Sequence, residues 1–136
     1  MSQEQAGVVH IQNESDIIAV RKVARLTATA LGFGLTDVTR IVTATSELAR
    51  NVFCYAGSGL MRWRRIEAGD KVGIELIFED RGPGIPDIGQ AMQEGYTSGG
   101  GLGLGLPGAK RLMDEMELQS MVGQGTTVTV RKWRRA

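Results

Sequence analysis

The chain has 136 residues, 42% of them hydrophobic and 23% charged, with a formal net charge of +1. That length is enough for one domain with its own core, and the even charge balance excludes a global field that would select an acidic partner. One cysteine, Cys54, and one histidine, His10, exclude an internal disulfide, a Cys-cluster metal site and a His-rich zinc site, and argue against a Ser-His-Asp arrangement.

In chain order, Met1–Gln5 lacks the basic-then-apolar pattern of a signal peptide, and no apolar run reaches the length of a membrane span. The expected location is the cytoplasm. Val8–Ile11 reads as a short strand with His10 as an ordinary strand residue. Asn13–Ser15 offers N-cap oxygens. Ile17, Ile18, Val20, Val23, Ala24, Ala28 and Leu31 then recur at helical spacing, and Gly32 and Gly34 stop the helix. Thr36 is expected to cap a second helix with an apolar stripe through Val38, Ile41, Val42, Thr45, Leu48, Val52 and Tyr55, stopped by Gly57-Ser58-Gly59. Leu60–Ile66 alternates weakly. Glu67–Asp70 reads as a hairpin loop, and Val72, Ile74, Leu76 and Phe78 alternate as a half-buried strand. Ile85–Ser98 is polar and glycine-punctuated, the composition of a lid. Leu106, Ala109, Leu112, Met113 and Met116 mark a third helix, and Met121-Val122 with Thr126–Trp133 a closing hairpin through Gly123-Gln124-Gly125. The order β-α-α-β-β-lid-α-β-β lacks βαβ alternation. It predicts an α/β (α+β) two-layer sandwich, with a mostly antiparallel sheet and helices on one face. Neither a repeat nor an internal boundary interrupts this single domain, residues 1–136.

Four constellations carry possible chemistry. Glu47 and Asn51 are four residues apart and share a helix face. A carboxylate can accept a proton and an amide oxygen can ligate Mg²⁺, although such pairs are also common on solvated helices. Asp80 ends a strand and is followed by Gly82, Gly84 and Ile85. A carboxylate there suits the exocyclic amine of adenine, and a plain turn has the same look. In Ser98–Leu106 five of nine residues are glycine and three are leucine. The stretch Gly99, Gly100, Gly101, Leu102, Gly103, Leu104, Gly105 runs straight into a helical pattern. Bare N–H groups and a helix start make a phosphate cradle; a flexible linker is the bland alternative. A Walker loop is excluded, because Gly108-Ala109-Lys110-Arg111 lacks Gly-Lys-Ser/Thr. Gly103-x-Gly105-x-x-Gly108 has dinucleotide spacing but no preceding strand. Last, Gly123-x-Gly125-Thr126-Thr127 puts a hydroxyl beside a tight turn, though threonine is commonly only a strand former.

In this order the four resemble the N box, the two glycine boxes and the final Gly-Thr element of the GHKL ATPase/kinase superfamily, over about Thr36 to Thr127. The resemblance implies a Bergerat fold with Mg²⁺ and ATP bound under a lid. It implies Glu47 as general base and Asn51 as Mg²⁺ ligand. Asp80 would read adenine, Gly82 and Gly84 would allow close approach, and Gly101, Gly103 and Gly105 would face the phosphates, with Thr126 near the base. Gyrase-like members need a transducer domain for which no residues remain, and sensor kinases need a phospho-accepting helix. Ser46–Asn51, Asp80–Ile88 and Gly103–Glu115 look most like the RsbT-type serine/threonine switch kinases of bacterial stressosomes. That likeness implies STAS-domain scaffold proteins as substrates and a downstream phosphatase or cyclase-type regulator as second partner. The alternative is an anti-sigma factor kinase. Neither nucleic acid nor membrane is an expected partner.

Arg62-Trp63-Arg64-Arg65 matches no family role, and Arg131-Lys132-Trp133-Arg134-Arg135 is a second basic run of the same kind. Charged edge strands are the first expectation for them, then partner docking, then nucleic acid.

Overall fold

A computed structural model describes residues 5–84 and 105–135 of the chain. The elements are β1 (Ala6–Ile11), α1 (Ser15–Ala30), α2 (Leu35–Ala56), β2 (Gly59–Ala68), β3 (Lys71–Asp80), α3 (Leu106–Leu112), β4 (Glu115–Met121) and β5 (Gly125–Trp133). This is the order that periodicity predicts. The lid reading of Ile85–Ser98 lies outside the described residues.

Local chemistry starts each helix. At α1 the Asn13 Oδ1 accepts the Asp16 N–H at 3.2 Å, while Asp16 Oδ2 accepts the Gln12 N–H at 2.8 Å and the Asn13 N–H at 3.2 Å. This reciprocal arrangement satisfies donors that the first turn cannot. α2 differs from expectation. Its N-cap is Gly34 in an extended conformation, and Thr36 already lies inside the helix. The Gly34 carbonyl accepts the Val38 N–H at 2.9 Å, so the helix begins ahead of the hydroxyl. Gly57, at φ +81°, ends it.

The five strands form one antiparallel sheet in the order β1-β2-β3-β5-β4. β2 and β3 are joined by Gly69-Asp70, where Gly69 takes the positive φ that such a tight hairpin requires. Met61, Ile74, Leu76, Phe78 and Val130 are buried on one face against Val20, Ile41 and Leu48 of the helices. The sheet therefore has one covered face, as predicted.

α3 is shorter than the pattern suggested. It stops at Leu112, Met113 is extended and Met116 lies in β4 opposite Val130. Two tertiary bonds outcompete the helical period here. Lys132 Nζ donates to the Leu112 carbonyl at 2.8 Å, and the Asp114 N–H donates to the Arg131 carbonyl at 2.9 Å. The closing hairpin consequently begins at Glu115 rather than Met121.

The expectation of charged edge strands is overturned. The edges are β1 and β4, whereas the basic runs lie in the interior strands β2 and β5 and just past β5. Arg62, Arg64 and Arg131 are matched across the open face of the sheet, while Lys132 and Arg135 meet Asp37 of α2. Arg64 and Arg131 both hydrogen-bond Glu75, whose side chain is only 3% exposed. Arg131 also meets Glu115 and Glu117, and Arg62 meets Glu79 at 3.2 Å. The Trp63 ring lies where a Cβ on Gly7 would stand, and Trp133 Nε1 donates to Glu115 at 2.6 Å.

The hydrogen bond from Arg64, with Arg131 beside it, holds the Glu75 carboxyl below the usual glutamate range, against the opposing pull of burial. The same contact raises both guanidinium groups further. A carboxyl whose folded pKa is depressed contributes stability above its unfolded value, about 4.3, and loses it as pH falls through the folded value. Glu75→Gln should therefore cost about 2 kcal/mol at neutral pH, less than a fully buried pair because Arg64 is largely exposed. Urea melts at about pH 7 and about pH 3.5 check this: the gap between wild type and variant should shrink in acid. An equal gap at both would contradict it.

Candidate functional site

The site lies at the end of the sheet where β3 finishes and β5 begins. Asp80 is the last residue of β3 and pairs with Thr126. Its Oδ1 accepts the Gly82 N–H at 2.9 Å and the Thr126 N–H at 3.2 Å. Both bonds fall on one oxygen, and Oδ2 accepts no hydrogen bond from the described residues. The carboxylate is thus clamped in orientation by the backbones of the turn after β3 and of β5 while it keeps an acceptor for another molecule. The Thr126 Oγ1 lies 2.9 Å from the Ser120 Oγ.

The glycines here permit close packing of backbone. A Cβ on Gly82 would stand 2.7 Å from the Ala56 Cβ, at the end of α2. Gly84, at φ +79°, abuts the Met121 carbonyl, and the Gly123 N–H donates to the Pro83 carbonyl at 2.8 Å. The turn after β3 is thereby pinned to the β4–β5 hairpin.

Glu47 and Asn51 lie one helical turn apart on α2, as expected. Glu47 is 41% exposed, and its Oε1 lies 3.5 Å from Arg50 Nη1. Gly105, the left-handed N-cap of α3, comes directly against it: a Cβ there would stand 2.7 Å from Glu47 Oε2. The last glycine of the glycine-rich stretch is thus brought to the carboxylate of the first constellation. Ile85, Gly99, Gly100, Gly101, Leu102, Gly103 and Leu104 lie outside the described residues.

Gly105 marks one end of the site and Gly82 the other. The α2 residues they touch, Glu47 and Ala56, are nine positions apart, or about 13 Å along the helix. One end offers an exposed carboxylate beside a helix start. The other offers an oriented acceptor. Among the described residues no group of three or more His, Cys, Asp or Glu converges on a metal-sized space. A cation here would take an amide oxygen such as that of Asn51 and complete its shell from a bound phosphate and water, as Mg²⁺ commonly does. Sequence reasoning missed Ala56, Ser120 and the Met121 carbonyl. Ala56 acts through size, the Met121 carbonyl through backbone position and Ser120 through a hydroxyl contact across the hairpin, and none carries a local signature. An open cavity of about 700 Å³ lies at the opposite end of the sheet, lined by Asp70, Lys71, Asp114 and Trp133 among others, and holds none of the candidate residues.

Residues 36–136 match the family model described as histidine kinase-, DNA gyrase B- and HSP90-like ATPase. The chain is 50% identical over 127 residues to the serine/threonine-protein kinase RsbT of Bacillus subtilis (strain 168), covering 93% of this chain and 96% of that protein. It is 33% identical over 128 residues to the anti-sigma F factor of Thermoanaerobacter sp. (strain X514), covering 90% and 86%. Among solved structures, the RsbU and RsbW domains of a Mycobacterium tuberculosis protein superpose with a TM-score of 0.59 at 24% identity. The match covers 96% of this chain and 34% of that one, and it shows the shared fold. With a matching family model over most of its length and the five-stranded antiparallel sheet the fold requires, the chain belongs to the histidine kinase-, DNA gyrase B- and HSP90-like (GHKL) ATPase family.

Proposed function

We propose that this chain is a single-domain, ATP-dependent protein serine/threonine kinase that works as a partner switch. The observation that carries the reading is the meeting of Gly105 with Glu47, which sets an exposed carboxylate beside the last glycine of the phosphate-loop candidate. The 50% identity to RsbT supports the choice of kinase over the other activities of the family.

In this reading Asp80 Oδ2 accepts from the adenine amine, and Gly82 and Gly84 let the base approach the backbone, with Ile85 and Thr126 beside it. The Gly99–Gly105 stretch takes the phosphates. Asn51 would hold Mg²⁺, whose chemistry there would be neutralisation of phosphate charge. Glu47 takes the proton from the attacking hydroxyl as that oxygen bonds to the γ-phosphorus and the bond to the β-phosphate oxygen breaks, leaving ADP. The acceptor is a serine or threonine of a STAS-domain scaffold protein of a stressosome, in the cytoplasm. Added phosphate brings about −1.5 to −2 charges to the docked surface and favours release. The freed kinase then binds a downstream phosphatase or cyclase-type regulator.

A second reading, an anti-sigma factor kinase or nucleotide-gated module, has the 33% identical relatives behind it and is outweighed by the 50% identity to RsbT. One experiment separates them. The protein is mixed with STAS-domain proteins from its own source, with ATP or with a non-hydrolysable analogue. A complex that persists with the analogue and dissolves with ATP, leaving phosphoserine or phosphothreonine on the partner, supports the kinase switch. Stable binding to a sigma factor with no STAS complex moves the chain to the second reading.

A further inference from the structure

Almost every basic side chain on the open face of the sheet has an acidic neighbour, but α1 is different. Its buried face is supplied by Ile17, Val20, Ala24 and Ala28. Its solvent face carries Arg21, Lys22 and Arg25 and no carboxylate. None of these three cations forms an ion pair with the described residues, whereas Arg62, Arg64 and Arg131 all do. The one acidic group within α1, Asp16, is occupied in capping the helix. Set among the cations are Ile18 and Leu26, 67% and 61% exposed. At 100° per residue these five side chains span about 140° of the helix surface, with Arg25 within about 20° of Ile18. A solvated helix face normally mixes both signs of charge and omits large aliphatic groups.

We infer that the outer face of α1 is a docking surface for an acidic protein surface with an apolar patch at its centre. The inference rests on the partner-switch reading, because it assigns to α1 the face that meets the acidic partner. Complementary charge would steer the encounter and make it salt-sensitive, while Ile18 and Leu26 would supply the dry contact. An anionic membrane is the less favoured occupant. The deeper apolar face of α1 is already buried in the core, leaving only two aliphatic side chains for insertion. None of Glu47, Asn51, Asp80 or Gly105 belongs to α1.

The test uses the full chain and the STAS-domain protein that it binds in the presence of the ATP analogue. The triple variant Arg21→Glu/Lys22→Glu/Arg25→Glu should weaken that complex by about tenfold or more, and Ile18→Ser should weaken it by about tenfold without changing charge. Both should bind ATP as the wild type does, and rising salt should weaken only the wild-type and Ile18→Ser complexes. If the triple variant fails to fold, the Ile18→Ser result and the salt dependence decide. Wild-type affinity in both variants overturns the docking surface but leaves the kinase reading intact. Failure of the wild type to bind any STAS-domain protein overturns both. Binding to phosphatidylglycerol vesicles that the triple variant loses, with unchanged protein binding, assigns the face to a membrane and also overturns the inference.

Discussion

Glu47→Gln is expected to slow phosphoryl transfer by about 10² to 10⁴-fold, the usual range for loss of a general base, while ATP still binds. The substitution keeps the shape of the side chain. That matters because Gly105 is packed so closely that a Cβ there would stand 2.7 Å from Glu47 Oε2. A larger or displaced side chain would move the start of α3 and confuse loss of chemistry with loss of binding. The amide removes proton acceptance and little else. Calorimetry should return an ATP affinity within a few-fold of wild type, and single-turnover transfer to the partner should collapse. Transfer at the wild-type rate would show that another group takes the proton or that none needs to. Loss of ATP binding would show that the carboxylate serves the nucleotide itself.

Asp80→Asn is expected to weaken ATP binding by about 10- to 100-fold, the worth of a charge-assisted hydrogen bond in a site that excludes water. The direction follows from the clamp. Two backbone donors, the N–H groups of Gly82 and Thr126, converge on Oδ1. In the variant they select the amide orientation that gives them an oxygen. The NH₂ group is then forced into the place of Oδ2, where it presents a donor to the adenine amine, itself a donor. The turn after β3 survives because its own bonds survive, so thermal stability should change little. A guanine carbonyl would accept from the new NH₂, so the preference for ATP over GTP should shrink or invert. Titration of both nucleotides into both proteins is the measurement. An unchanged ATP affinity would remove Asp80 from the base-reading role.

The two ends of the site differ in how far the sequence revealed them. Asp80 was legible because a strong period-2 strand, Val72 to Phe78, runs into a carboxylate and then two glycines. Its partner Thr126 was legible only as a tight turn with a hydroxyl. That the Thr126 backbone, rather than its hydroxyl, holds Asp80 came from the pairing of β3 with β5. Glu47 and Asn51 followed from helical spacing. The meeting of Glu47 with Gly105 did not, since it depends on α3 packing against α2 across more than fifty residues of chain.

Local physics set the element types, the one-sided sheet and the candidate residues, because apolar period, glycine stops and cap oxygens act within a few positions. Tertiary structure decided wherever a local preference met a distant partner. Met113 and Met116 continue a helical pattern, yet Lys132 closes α3 at Leu112 and β5 draws Met116 into the sheet. Arg62–Arg65 and Arg131–Arg135 read as a guarded edge, yet strand order puts β2 and β5 inside, where Glu75 and Glu79 answer Arg62, Arg64 and Arg131, and Asp37 of α2 meets Lys132 and Arg135. Strand order is a property of chain crossings. It depends on which surfaces pack best once all the elements exist, and no window of sequence contains it.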